Sequence, residues 1–129
     1  MLTLEVYCSE NVKINIDSPS IIEEYINFLL KIKVGCFYGE HNFCIQLGEL
    51  REIIEQLNIL YEQMTGEIKL FDYDSETYIS LEIINNSRLC LCGQLGSEWE
   101  DNFWRFHEEV DQTIIKLLID TFNKMISQQ

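Results

Sequence analysis

The stretch EIKLFDYDSETYISLEIINNSRLCLCGQL, residues 67–95, decides the architecture. It holds three short runs, EIKLFDY, TYISLEII and RLCLCGQL, in which the side chains alternate, and turn-forming DSE and NNS separate them. A period of two sends successive side chains to opposite faces of a sheet, whereas a helix needs apolar residues three and four apart. The reading is an antiparallel meander, completed by NFWRFHEEV (102–110) after a looser connection from Gly96 to Asp101. Strand phase places Ile68, Leu70, Ile79, Leu81, Leu89 and Leu91 on one face, and Phe71, Tyr73, Tyr78, Cys90, Cys92, Trp104 and Phe106 on the other. With both faces partly apolar, either the N-terminal strands fold across the second face or some aromatic surface stays open.

Upstream, GELREIIEQLNILYEQMTG (48–66) changes period. Leu50, Ile53, Ile54, Leu57, Leu60, Tyr61 and Met64 recur at three- and four-residue steps and form a helical stripe, Glu52, Glu55, Gln56, Glu62 and Gln63 take the far side, and Gly66 is the expected stop. Ile59 alone among the large apolar residues shares the polar side. A second helix is expected in DQTIIKLLIDTFNKMI (111–126), with Asp111 as N-cap and Ile114, Ile115, Leu118, Phe122, Met125 and Ile126 as its buried stripe. Towards the N-terminus, LTLEVY (2–7) and VKINI (12–16) alternate around the turn-prone Ser9, Glu10 and Asn11 and read as a hairpin. Pro19 is expected to break that pattern, strand and helix are not separable over residues 21–29, and LLKIKVGCFY alternates into a bend near Gly39 and then HNFCIQL. No internal repeat, low-complexity tract or linker is visible. The expected fold class is α+β: an antiparallel meander sheet with one central and one C-terminal amphipathic helix, in a single domain spanning 1–129.

Composition excludes some function classes. Apolar residues make up 47% of the chain, enough to offset the entropy of ordering a core. Twenty-two acids against nine Lys and Arg give a net charge of −13, a field that repels phosphate backbones and anionic lipid. Direct nucleic-acid and membrane-surface binding are therefore disfavoured, and a basic protein partner is favoured. The start MLTLEVYCSE lacks a basic leader followed by a long apolar run, so a cytoplasmic protein is expected. Five cysteines, Cys8, Cys36, Cys44, Cys90 and Cys92, are an odd number and read as reduced thiols.

Catalytic and metal chemistry find little support in the spacing. Cys90 and Cys92 share a strand face, but structural zinc usually takes cysteines two to four residues apart on a turn, and only His41 and His107 are available besides. Packing is the expected role of the two thiols, with no metal and no cofactor. A nucleophilic cysteine needs an electropositive setting, yet His107 stands beside Glu108 and Glu109, and no GxSxG, P-loop or GxGxxG occurs. An enzyme using acidic residues and a divalent metal is the least supported class. What the sequence does offer is acid interleaved with aromatic residues in two loops: Asp72, Asp74 and Glu76 in DYDSE, and Glu98, Glu100 and Asp101 around Trp99. Loops vary without disturbing a core, and an aromatic among charges supplies anchor and steering together. These seven residues are the candidate partner-binding set, weighed against a purely solubilising role.

The order of motifs carries one resemblance. VGCFYGEHNFCIQLGEL, LNILYEQMTGEIKLF and FWRFHEEVDQT, each in its place relative to the two helices, resemble the WapI-type immunity proteins of bacterial polymorphic toxin systems. The matching residues are Phe37, Tyr38 and Gly39, then Leu60, Tyr61 and Gly66, then Asp111, Gln112 and Thr113, so the likeness runs over roughly residues 30–126. RLCLCG is more cysteine-rich than that pattern. The resemblance implies a non-catalytic protein that binds and neutralises the toxic C-terminal domain of a cognate toxin, a nuclease among the candidate targets. An acidic, non-catalytic regulatory or scaffold module would share the composition and stays open beside it.

Overall fold

A computed structural model describes residues 2–85 and 88–127; Asn86 and Ser87 of the NNS turn lie outside the described residues. Strands β1 (Thr3–Cys8), β2 (Val12–Ile22), β3 (Tyr25–Val34) and β4 (Phe37–Gln46) form one antiparallel sheet, followed by α1 (Leu47–Gln63). Strands β5 (Glu67–Phe71), β6 (Tyr78–Ile84), β7 (Arg88–Leu95) and β8 (Trp104–Val110) form a second, followed by α2 (Thr113–Ser127). The α+β class and both helices are as expected. The sheet content divides into two four-stranded sheets, and the order ββββα occurs twice, a repeat of architecture with no repeat of sequence.

The inner faces of the sheets meet in one core. Ile14, Ile16, Phe28, Leu30 and Phe43 of the first sheet face Leu70, Ile79 and Leu91 of the second, with Leu118 and Phe122 of α2 between them. Leu50, Ile53, Leu57 and Leu60 of α1 are buried, as their spacing requires, and Ile59 is 52% exposed. Helix α1 stops where Met64 takes a left-handed conformation and its amide donates back to the Leu60 carbonyl. At the start of α2, Asp111 Oδ1 accepts the Thr113 amide at 2.9 Å, the cap read from the sequence. That bond holds the Asp111 carboxyl below the usual carboxylate range.

Three local readings are corrected, and one left open is resolved. Pro19 does not end β2: the register passes from Asp17↔Leu29 to Ser20↔Asn27, leaving Ser18 and Pro19 in a bulge where the Ser18 amide donates to Leu2 O and the amide Pro19 lacks is not needed by the β2–β3 ladder. Residues 21–29 are strand, turned at Glu23 and Glu24, both at positive φ. The bend lies at Gly35 and Cys36, while Gly39 sits inside β4. Finally, β8 has the opposite phase. Gly93 pairs with Phe106 and Leu95 with Trp104, which brings both aromatics to the inner face and turns Arg105, His107 and Glu109 outward. Missing side chains make room: a Cβ on Gly39 would stand 2.8 Å from the Trp104 ring, and one on Gly93 would overlap the Phe106 ring. The N-terminal strands therefore cover the aliphatic face of the second sheet, and the face bearing Phe71, Tyr78, Cys90 and Cys92 points outward.

Candidate functional site: the acidic loops and the thiol face

The two acidic loops meet. Gly96 N donates to Thr77 Oγ1 at 2.9 Å, Glu76 N donates to Ser97 Oγ at 3.1 Å, and Glu98 N donates to Glu76 Oε1 at 2.7 Å. Thr77 and Ser97 are fully buried, so these hydroxyls fix two segments that are far apart in sequence. Glu98 forms an ion pair with Arg105, whose guanidinium also lies over the Phe103 ring at 5.3 Å. Trp99 protrudes with 71% of its surface exposed, next to the exposed Glu100 and Asp101.

Of the seven candidate residues, Glu76, Glu98, Trp99, Glu100 and Asp101 lie on the two loops joined here. Asp74 is exposed on the first of them. Asp72 differs from the rest, since it is buried and its carboxylate accepts the Cys44 amide at 2.7 Å and the Ser75 hydroxyl. Tyr73 N returns a bond to Cys44 O at 2.8 Å, so this corner closes part of the outer edge of β4. Its ring, largely exposed, also contacts Tyr25 with centroids 5.2 Å apart.

Beside the second loop lies an open depression of about 290 Å³, lined by Gly39, Glu40, His41, Leu95, Glu100, Phe103 and Trp104 among others. Its aromatic part and its two carboxylates suit a long cationic side chain. No sequence period signals this depression, because Gly39 and Trp104 come from different sheets.

On the outward face of the second sheet, Cys90 and Cys92 are neighbours, as the strand phase required, with Sγ atoms 3.3 Å apart. The corrected phase of β8 adds His107, paired directly with Cys92 and with Nε2 2.9 Å from Cys90 Sγ. Arg88 and Glu109 form a two-pronged ion pair on the same face, with both bonds 2.8 Å. Burial, followed by the Cys92 thiol, pushes Cys90 up to about 12, opposite to the shift that an activated thiolate needs. Cys44 is also raised, chiefly by burial. Cys8 and Cys36 are exposed.

The two joined loops present an acidic, aromatic rim on a two-sheet scaffold. The chain matches the WapI-like immunity protein family over residues 2–129 and belongs to it. Among curated proteins no match is found. Among solved structures, the chain is similar to the plant transcriptional regulator PBF-2, with 10% identity and a TM-score of 0.59 over 95% of this chain and 79% of that one. It is also similar to WHY3 from Arabidopsis thaliana, with 10% identity and a TM-score of 0.54 over 96% and 85%. The MRP1/MRP2 structure of Trypanosoma bruciei aligns at 6% identity with a TM-score of 0.52 over 97% and 82%. At such identities the likeness defines the fold, which is Whirly-like, and nothing further.

Family membership implies a cognate toxin partner. Among the described residues, no helix is long and apolar enough to cross a membrane.

Proposed function

We propose that this chain is a non-catalytic, cytoplasmic immunity protein that binds the toxic C-terminal domain of its cognate toxin through the rim formed by residues 72–77 and 96–103. The observation that carries the reading is Trp99, exposed among Glu98, Glu100 and Asp101 on a loop held by buried Ser97 and Thr77. A rigid aromatic anchor loses little entropy on docking, and a fixed loop spares the cost of ordering. The surrounding charge supports a basic partner, because opposite fields speed encounter. The depression between Glu40 and Glu100 gives a cationic side chain of that partner a seat against the Phe103 and Trp104 rings.

The test is binding to the cognate toxin domain, which this reading expects the gene directly upstream to encode. Glu100→Lys with Asp101→Lys should slow association, most strongly at low salt, and Trp99→Ala should chiefly speed dissociation. Glu98 is kept out of the charge reversal because Arg105 already neutralises it. Variants that fold normally and bind like wild type across a salt series would refute the rim as the interface. Failure of the wild-type chain itself to bind that toxin would favour the regulatory or scaffold reading.

A further inference from the structure

We propose that Cys90, Cys92 and His107 form a binding site for one soft divalent metal ion of the zinc class on the outward face of the second sheet. The three ligand atoms lie within 4.8 Å of one another, with Cys90 Sγ 3.3 Å from Cys92 Sγ and 2.9 Å from His107 Nε2. Around tetrahedral zinc, with bonds of about 2.3 Å to sulfur and about 2.0 Å to nitrogen, these separations become roughly 3.8 Å and 3.5 Å. Adjusting the edges of the triangle by about 1 Å or less, the two short ones lengthening, lies within the reach of small side-chain rotations and admits the ion.

Backbone pairing makes the set rigid. Cys90 and Cys92 are held by alternation along β7, and His107 lies directly across from Cys92 on β8. The usual zinc turn is replaced by two positions on one strand and a register partner on the next. For that reason the absence of CxxC argued against metal in the sequence, while the folded sheet argues for it. The donor set is also selective in kind: two thiolates and an imidazole favour a soft or borderline ion over magnesium or calcium, which take oxygen. Two thiolates would balance the charge of the divalent ion.

Burial leaves the site asymmetric. Cys90 is buried, Cys92 half-buried and His107 exposed, so the ion enters from solvent and a fourth coordination position stays on the solvent side. This arrangement clips β7 to β8 through side chains in addition to the ladder between them. It is independent of the toxin-binding reading.

The experiment uses the full chain, reduced and stripped by a chelator. Titration with Co²⁺ should give thiolate-to-cobalt absorption that saturates at one equivalent and is displaced by Zn²⁺, and zinc should raise the melting temperature. Cys92→Ser and His107→Ala should each weaken Co²⁺ binding at least tenfold and remove the thermal shift. The exposed thiols Cys8 and Cys36 provide the control, since Cys8→Ser with Cys36→Ser should leave the titration unchanged. Absence of the absorption in the wild-type chain would overturn the proposal. So would its persistence in Cys92→Ser and His107→Ala, whose side chains are exposed enough for both variants to keep the fold.

Discussion

In the first half of the chain the strands are joined by short turns at residues 9–11, 23–24 and 35–36, whereas the second half carries longer excursions at 72–77 and 96–103. Both halves run ββββα, so the difference is not demanded by the architecture. The short turns have little side chain to spare. One of them, Glu23–Glu24, places two non-glycine residues at φ of 49° and 70°, the conformation of a tight hairpin that Asn-Gly would adopt more easily. The long excursions have the opposite economy: buried Thr77 and Ser97 accept amides of the two segments and buried Asp72 ties the first of them to β4, while Asp74, Trp99, Glu100 and Asp101 face solvent. Division of labour between halves follows. On the function proposed above, the first half is mainly scaffold and the second carries the docking rim as well.

Three variants break or sharpen that contrast. The largest effect is expected for Asp72→Ala, which leaves the Cys44 amide without its acceptor and releases the corner over β4; the loss should be about 2 kcal/mol in chemical denaturation. An unchanged midpoint would show that the first acidic loop is held by Thr77 and Ser97 alone.

Next comes the first sheet's own polar contact, the Asp17–Lys31 pair at 2.6 Å. The Lys31 ammonium, through its hydrogen bond, holds the Asp17 carboxyl below the usual carboxylate range and is itself raised. A lowered carboxylate contributes stability that is complete above its unfolded value near pH 4 and is lost as pH falls through the folded value. Lys31 acts at the other end, its share complete below its ordinary range and lost as pH climbs through the raised value. In urea titrations, Asp17→Asn should therefore flatten the acid limb of the stability profile below about pH 4, relative to wild type. Parallel acid limbs would mean that the pair makes no net contribution.

The smallest effect is a gain. Glu23→Asn with Glu24→Gly relieves the left-handed pair and should raise stability by less than about 1 kcal/mol. A loss instead would show that the two glutamates are held by contacts beyond the turn.

Legibility in the sequence followed the range of the forces involved. Local signals were readable: the spacing of Leu50, Ile53, Leu57 and Leu60, the Asp111 cap, and the alternation that put both thiols on one face. The bulge at Ser18 and Pro19 was not, because a bulge is a property of two strands, visible only when Phe28 is seen opposite both residues. Similarly, FWRFHEE alternates equally well in either phase. Tertiary packing chose between them, since only Gly93 could lie beneath Phe106 and only Gly39 beside Trp104. The acidic loops were legible as loops. Their joining through Glu76, Ser97 and Thr77, and the withdrawal of Asp72 from the surface, depended on contacts that span 19 to 28 positions of chain. His107 was missed as a neighbour of the cysteines for the same reason as Phe106, since one phase error moved both.

The notch at Gly39 has an optical consequence. Its Trp104 lies against Leu95 and Phe106, half-buried, whereas Trp99, the other tryptophan, stands in solvent. The chain thus carries two intrinsic fluorophores with separate duties. Trp104 should emit to the blue of Trp99 and change when the inter-sheet seam opens, or when a cationic side chain fills the depression that its ring lines. Trp99 should emit to the red and be quenched readily, and its spectrum should change when something docks on the rim. A Trp99→Phe chain then reports the seam and the depression beside it, and a Trp104→Phe chain reports the tip of the rim, with no dye attached to either.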